Sequence, residues 1–125
     1  MRFVHELAHE PTALQPARAA LEAWCSLAQA DPESLVIIAN ELCANAVRHG
    51  KGSITLQASH SERWLSISIQ QYGKVALAMP ARYSQTELHI AGRGLRMVDA
   101  LAESWGWHTT STHTLLWARI ARRRA

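Results

Sequence analysis

The fold of this 125-residue chain is decided by the stretch ELCANAVRH at residues 41–49. On a helix of about 3.6 residues per turn, Glu41, Asn45 and His49 recur at i, i+4 and i+8 and form one polar strip about 12 Å long. The apolar residues beside this strip fill about half of the helix circumference: Leu35, Val36, Ile38, Ala39, Leu42, Cys43, Ala46 and Val47. The strip therefore lies at the rim of a buried face, where its polar groups border a cleft.

A carboxylate and a carboxamide one turn apart suit a particular chemistry. The side-chain oxygen of Asn45 is a hard, neutral ligand of the kind that Mg²⁺ accepts beside water and substrate phosphates. The Glu41 carboxylate can orient or deprotonate a nucleophile. The plain alternative is the polar edge of a surface helix, and an E-x-x-x-N pair by itself is more often that. The rest of the chain has to decide between the two.

Composition indicates one globular domain over residues 1–125, since 48% of the residues are hydrophobic and 18% are charged. No apolar run approaches the roughly 18 residues of a membrane span, and the N-terminus lacks the apolar segment of a signal peptide. We therefore expect a cytoplasmic protein that does not bind membranes. Cys25 and Cys43 fall on apolar helical positions and are expected to be buried thiols, and the histidines show no metal-ligand spacing.

The positive charge is concentrated at the C-terminus. The net charge is +3, and arginines stand at positions 119, 122, 123 and 124. A basic tail can contact nucleic acid or an acidic partner, but arginines on a frayed end more often serve as solubilising charge. Because the chain has no basic helix face and no nucleic-acid motif, nucleic-acid binding is disfavoured.

Hydrophobic periodicity predicts the elements before and at the central helix. A short strand over residues 3–8 is followed by a helix that begins near Pro16 and ends near residue 29. Asp31 and Pro32 are an N-cap and an N1 proline that begin the central helix. Gly50, directly after His49, can take the left-handed conformation at its C-terminus.

Beyond Gly52 the apolar period falls to about two residues, which is typical of strands. Residues 54–59 and 65–70 predict an antiparallel hairpin with one apolar face for the helices to cover. Residues 71–91 show no period and predict a loop of about twenty residues, long enough to be a lid over a ligand. A helix over residues 95–102 and a final hairpin that turns near residues 110–112 complete the domain.

The sequence AGRGL at residues 91–95 comes at the start of the last helix. Two glycines there let the backbone approach a ligand closely and direct free N–H groups at the helix N-terminus toward an anion. A G-x-G by itself is a weak signal and is more often a plain turn.

Three motifs together resemble one known family. They are E-L-x-x-N-A-x-x-H at residues 41–49, GRGLRMVDALAESWG at residues 92–106 and the closing TLLWA at residues 114–118. In order and spacing they are similar to the GHKL ATPase superfamily, and most similar to its short branch of anti-sigma factors that are also serine-protein kinases. The resemblance covers nearly the whole chain. It implies an α/β (α+β) two-layer sandwich with a mixed, largely antiparallel sheet and helices packed on one face.

The resemblance also implies a site for ATP and Mg²⁺ between the central helix, the lid and the G-x-G turn. Asn45 would be the Mg²⁺ ligand and Glu41 the general base, and His49 completes the same strip beside the nucleotide. The other nucleotide contacts would come from the glycine turn and from the closing strand: Gly92, Arg93, Gly94, Leu95 and Thr114.

The adenine site departs from the family pattern. The resemblance places a D-x-G-x-G motif on residues 71–75, where Gln71 stands for the aspartate, Gly73 keeps the first glycine and Val75 replaces the second. A carboxamide accepts a hydrogen bond more weakly than a carboxylate, by about 1 kcal/mol. Valine is also stiffer and bulkier than the glycine it replaces. Both changes weaken the expected ATP site.

Three functions follow from these patterns. The first is an ATP-dependent serine/threonine kinase that phosphorylates or sequesters a protein partner, either a sigma factor or its antagonist. The second is a degenerate GHKL-fold protein-binding module with weak or no nucleotide binding. The third, a detached histidine-kinase catalytic domain, is disfavoured because no phospho-accepting helix precedes the domain. Glu41 and Asn45 favour the first function, and Gln71 favours the second. The sequence leaves the oligomeric state open, a homodimer included.

Overall fold

The computed structural model describes residues 2–49, 52–72 and 93–123. Within these ranges the chain forms five strands and three α-helices. In chain order they are β1 (Phe3–Leu7), α1 (Leu14–Leu27), α2 (Glu33–His49), β2 (Ile54–His60), β3 (Trp64–Tyr72), α3 (Arg93–Leu101), β4 (Ser104–Thr109) and β5 (His113–Ala121), with a 3-10 turn over Pro11–Ala13 before α1.

The strands form one sheet in the order β1-β2-β3-β5-β4, and every pairing in the described part of it is antiparallel. The described strands contain no parallel pair, so the sheet is antiparallel where the resemblance implied a mixed, largely antiparallel one. β3 and β4 run in the same direction with β5 between them, because the β4–β5 hairpin returns beside β3. The two-layer α+β fold predicted from the sequence is thereby confirmed.

Strand alternation decides which side of the sheet is covered. Along β3, Leu65, Ile67 and Ile69 are buried, while the residues between them are only half-buried. The helices pack on the buried side, and α2 fills its centre with Leu35, Ile38 and Leu42, all fully buried. Burying such a side chain contributes about 1.5–3 kcal/mol, so this one face supplies most of the core.

The central helix begins and ends as the sequence predicts. The Asp31 carboxylate accepts a hydrogen bond from the Glu33 N–H at 3.1 Å, as an N-cap residue does. The Val36 N–H donates to the Pro32 carbonyl at 2.8 Å, so proline stands in the first turn, where its missing N–H costs nothing. The helix continues to His49, which confirms the predicted extent.

Two expectations need correction. Gln71 and Tyr72 are the last residues of β3 rather than the first of the loop, because Gln71 pairs with Thr114 of β5. The arginines near the C-terminus are also not all on a frayed end. Arg119 belongs to β5 and places its guanidinium carbon 4.1 Å from the centre of the Trp64 ring. Arg122 donates to the Ala28 carbonyl at 2.6 Å and to the Ser61 carbonyl at 3.0 Å.

The two cysteines are buried and free, as expected. Burial raises the pKa of the Cys25 thiol to about 11 and that of Cys43 to about 12. Both therefore remain protonated and unreactive at neutral pH. None of the described helices is long and apolar enough to cross a membrane.

Candidate functional site

Two polar side chains are buried at one end of the helix-facing side of the sheet. Gln71, the last inward residue of β3, is 6% exposed, and its cross-strand neighbour Thr114 on β5 is 5% exposed. Every other buried side chain among the described residues is hydrophobic. Burying an amide and a hydroxyl costs free energy unless they are hydrogen-bonded. This pair therefore marks the place where the buried side chains change from hydrophobic to polar.

The amide of Gln71 connects this pair to the central helix. Its Nε2 donates to the Ala46 carbonyl at 3.4 Å, within a buried contact. Ala46 directly follows Asn45 on α2. The C-terminal half of the polar strip therefore lies at the same end of the domain as Gln71 and Thr114.

Glu41 and Asn45 are both half-buried on α2, and each is followed by a buried residue, Leu42 and Ala46. This is the rim position that helical periodicity predicts for them. His49 is the last residue of the helix, and its side chain lies outside the described part of the chain. The helix thus carries a carboxylate and a carboxamide one turn apart, and the residue after Asn45 accepts the hydrogen bond from Gln71, while the chemical roles of Glu41 and Asn45 remain predictions.

The third part of the predicted site is the N-terminus of α3. The helix begins at Arg93, with Gly94 in its first turn, and packs against α2. Leu95 is 2% exposed, so it anchors this first turn in the interior. The first N–H groups of any helix lack intrahelical partners and can bind an anion. Gly73, Val75 and Gly92 lie outside the described residues, and the roles predicted for them stay predictions.

Sequence reasoning missed the contact between Gln71 and the Ala46 carbonyl. The two residues are 25 positions apart, so no local pattern reports it. One signal was present: Gln71 continues the inward series Leu65, Ile67 and Ile69 at a spacing of two, and a polar residue in that series is out of place.

The described residues contain no cluster of three or more His, Cys, Asp or Glu side chains that could hold a metal ion. Mg²⁺ does not need such a cluster when a nucleotide is present, because it keeps several waters and takes further oxygens from phosphates. One amide oxygen on α2 is therefore enough as a protein ligand, and the role of Asn45 as that ligand stays a prediction.

The sheet order, the helices on one face and the polar end of that face define a two-layer α+β domain. Residues 7–120 match the model of the histidine kinase-like ATPase domain, and the chain belongs to this family. Domains of this family generally bind ATP, usually with Mg²⁺. The predicted superfamily is thus confirmed, while the anti-sigma branch remains a prediction.

A solved structure supports the same fold. The chain is similar to the Acinetobacter baumannii histidine kinase AdeS, with a TM-score of 0.56 and 14% sequence identity, over 98% of this chain and 68% of that one. At this identity the likeness concerns the fold alone. No curated protein matches the chain.

The residues at the polar end fit the adenine part of a nucleotide. Adenine presents an amino donor and ring-nitrogen acceptors, and both a carboxamide and a hydroxyl can donate and accept. With Nε2 of Gln71 engaged by Ala46, the amide oxygen is the atom that can accept from an amino group. Thr114 stands beside it in register on the neighbouring strand. The hydrogen-bonding groups of the pair are therefore compatible with the adenine contact predicted from the resemblance, which stays a prediction.

Proposed function

We propose that this protein is an ATP-binding regulatory protein. The adenine end of its site is formed by Gln71 and Thr114, and the phosphate and Mg²⁺ end by Asn45 and the first turn of α3. The observation that carries the proposal is the buried polar pair. Gln71 of this pair donates a hydrogen bond to the carbonyl of Ala46, which follows Asn45 on α2. The family to which the chain belongs supplies the nucleotide class.

The finer proposal is a serine/threonine kinase of the anti-sigma type. Such an enzyme transfers the γ-phosphoryl group of ATP to a hydroxyl of a protein partner, either a sigma factor or its antagonist. Phosphoryl transfer depends chiefly on positioning and on neutralising charge. The half-buried carboxylate of Glu41 would orient the incoming hydroxyl and receive its proton, and Asn45 would hold the Mg²⁺ that neutralises the phosphates. The motif resemblance and the rim positions of both residues support this role.

One observation favours a second candidate, a protein-binding module with weak or no nucleotide binding. Gln71 uses its amide nitrogen in a contact with the Ala46 carbonyl, so the side chain has a structural task of its own. A neutral amide oxygen is also a weaker acceptor than the carboxylate that the family pattern expects. The two candidates differ in whether ATP binds, which is directly measurable.

Calorimetric titration with ATP, with and without Mg²⁺, separates them. The regulator predicts binding that Mg²⁺ strengthens, and Asn45→Ala should abolish the Mg²⁺ effect while leaving residual affinity for ATP. Asn40→Ala is the matched control, because Asn40 is a half-buried asparagine on the same helix outside the polar strip. Absence of binding at millimolar ATP would instead exclude the ATP-binding regulator and favour the binding module.

Kinase activity is tested with radiolabelled ATP and co-purified partner proteins. Glu41→Gln should leave ATP affinity within about twofold and reduce phosphorylation by about 10²–10⁴, the usual range for a general base. Labelling that persists in Glu41→Gln would remove Glu41 from the mechanism. A wild type that binds ATP and its partner but labels nothing would leave a nucleotide-dependent binding protein without kinase activity.

A further inference from the structure

The side of the sheet that faces away from the helices has its own composition. Two cross-strand rows run over it: Ser59, Ser66, Arg119 and Ser104 in one row, and Val4, Gln57, Ser68, Trp117 and Gly106 in the next. Arg2 directly precedes β1 and lies beside these rows, with its guanidinium bonded to Gln57. Small hydroxyl residues occupy the middle strands, and large side chains occupy the strands on either side. We call this side the open face.

The difference in side-chain size creates a trough on the open face. Its cavity has a volume of about 330 Å³, and its floor is formed by Ser59, Ser66 and Ser68 on β2 and β3. Serine is not a favoured strand residue, and large β-branched side chains would normally stand at such positions. A floor of serines therefore leaves both open space and a set of hydroxyl groups that donate and accept hydrogen bonds.

Both walls of the trough carry an arginine that is held in place. On the β1 side, Nη2 of Arg2 donates to Oε1 of Gln57 at 2.7 Å. On the β5 side, the guanidinium of Arg119 lies over the Trp64 ring at 4.1 Å. The two strands are three strand spacings apart, about 14 Å. The walls thus present two separate, positioned cations across a neutral floor.

Trp117 completes the β5 wall. Its indole lies across Gly106 of β4, where an added Cβ would come within 3.1 Å of the ring. The glycine therefore leaves room for this ring position, and the indole is still 38% exposed. An exposed flat ring beside an arginine is a frequent combination at protein-binding surfaces.

We propose that the trough on the open face binds an extended acidic polypeptide segment of a protein partner. The segment would run along β2 and β3, place carboxylates against Arg2 and Arg119, and use the serine hydroxyls for its backbone N–H and C=O groups. Trp117 would pack against its apolar side-chain atoms. This surface is on the opposite side of the sheet from Gln71 and Thr114, so the proposal does not depend on nucleotide binding.

The charge pattern favours a polypeptide over other ligands. A small anion would engage one arginine and leave the rest of the trough unused, because the two guanidinium groups are held on opposite walls. Nucleic acid would need a row of cations along its backbone, whereas the described part of the open face has only two arginines and also carries Glu6. An acidic segment matches both the two charges and the hydroxyl floor.

The test uses a fluorescein-labelled peptide of Glu-Glu-Ser repeats, about ten residues long. When extended it spans about 33 Å and carries carboxylates on both of its edges, one for each wall of the trough. Fluorescence anisotropy should show saturable binding that weakens with added salt. The double variant Arg2→Ala/Arg119→Ala should bind about tenfold more weakly, because two charge-assisted contacts are lost. Ser68→Leu fills the trough without changing any charge and should also weaken binding about tenfold. The thermal midpoint of each variant reports whether it is folded.

The matched control is Arg18→Ala/Arg123→Ala, which removes the same charge from two exposed positions off the open face. It should bind the peptide within about twofold of wild type, and ATP should not change the result. Equal weakening in both double variants would overturn the proposal in favour of diffuse charge attraction. So would equal binding of a Lys-Ser peptide, tighter binding of an oligothymidylate, or self-association that Arg119→Ala abolishes. None of these outcomes bears on the ATP titration, so this proposal and the proposed function fail separately.

Discussion

The two ends of the β3–β5 pair are equally buried but chemically different. At one end Leu65 pairs with Ile120, and these side chains are 1% and 7% exposed. At the other end Gln71 pairs with Thr114, at 6% and 5%. Burial therefore does not distinguish the two ends, whereas hydrogen-bonding capacity does. We infer that the apolar end serves stability and that the polar end serves ligand binding, since polar groups are costly to bury without a hydrogen-bonding role.

The apolar end is closed by aromatic rings and by Arg122. The Trp24 ring lies 5.7 Å from the ring of His60, and Phe3 lies 6.1 Å from Trp24 on its other side. The Arg122 guanidinium donates hydrogen bonds to the carbonyls of Ala28 and Ser61 and so connects these two segments at this end. At the polar end, the Gln71 amide donates to the Ala46 carbonyl of α2. We expect mutations at the apolar end to lower stability and mutations at the polar end to lower nucleotide affinity.

The largest effect is expected for Ile67→Ala, in the apolar part of β3. Ile67 is 2% exposed and belongs to the main core, so its truncation should lower the free energy of unfolding by about 2–5 kcal/mol. Urea denaturation measures this. A loss below about 1 kcal/mol would mean that the apolar part of the strand is not the stabilising part.

Arg122→Ala should have the next largest effect on stability. Truncation leaves the Ala28 and Ser61 carbonyls without their guanidinium donors, which costs about 1–3 kcal/mol. Arg123→Ala is the control, since its side chain is exposed, and it should change stability by less than about 0.5 kcal/mol. Equal effects of the two substitutions would show that Arg122 contributes only charge.

At the polar end, Gln71→Leu should change stability by no more than about 1 kcal/mol, because the lost contact with Ala46 is offset by burial of apolar surface. ATP affinity should nevertheless fall by about tenfold or more, which calorimetry measures. Thr114→Val should behave in the same way. A variant that loses several kcal/mol of stability while keeping its ATP affinity would reverse the assignment of the two ends.

The smallest stability effect concerns pH. Partial burial lowers the pKa of the His60 imidazole, and the positive charges of Arg122 and the N-terminus lower it further. The unfolded chain therefore binds the proton more readily than the folded one. The resulting contribution to the free energy of unfolding is complete above the unfolded pKa of about 6.5, and it is lost as the pH falls from there through the lower pKa of the folded state. Chemical denaturation measures the free energy of unfolding at pH 7 and at pH 5.5. The decrease between the two pH values should be smaller for His60→Asn than for wild type. A loss of equal size in both would exclude His60 as a contributor.

Local patterns in the sequence were sufficient for most elements of the fold. The N-cap at Asp31, the helical period along α2 and the alternation along β2 and β3 each depend on residues close together in the chain, and the structure confirms all three. The end of β3 was less predictable. Gln71 looked like the start of a loop because its partner Thr114, which holds it in the sheet, is far away in sequence.

The remaining features depend on contacts between distant residues. Arg122 bonds to carbonyls 94 and 61 positions away, so its C-terminal position suggested only solubilising charge. The trough on the open face requires the order β1-β2-β3-β5-β4, which brings Arg2 and Arg119 to opposite sides of the same serines. Periodicity predicts which residues share a strand face, but it does not predict which strands become neighbours.

The central claim is that the polar end of the β3–β5 pair reads adenine, and the direct test is a pair of titrations with Gln71→Asp. A carboxylate accepts a hydrogen bond from the adenine amino group more strongly than an amide oxygen does, so Gln71→Asp should bind ATP more tightly by about 1 kcal/mol, or about fivefold. Its affinity for purine riboside triphosphate, which lacks that amino group, should stay within about twofold of wild type. Equal changes for both ligands, or weaker binding of ATP, would contradict the claim that Gln71 contacts the base.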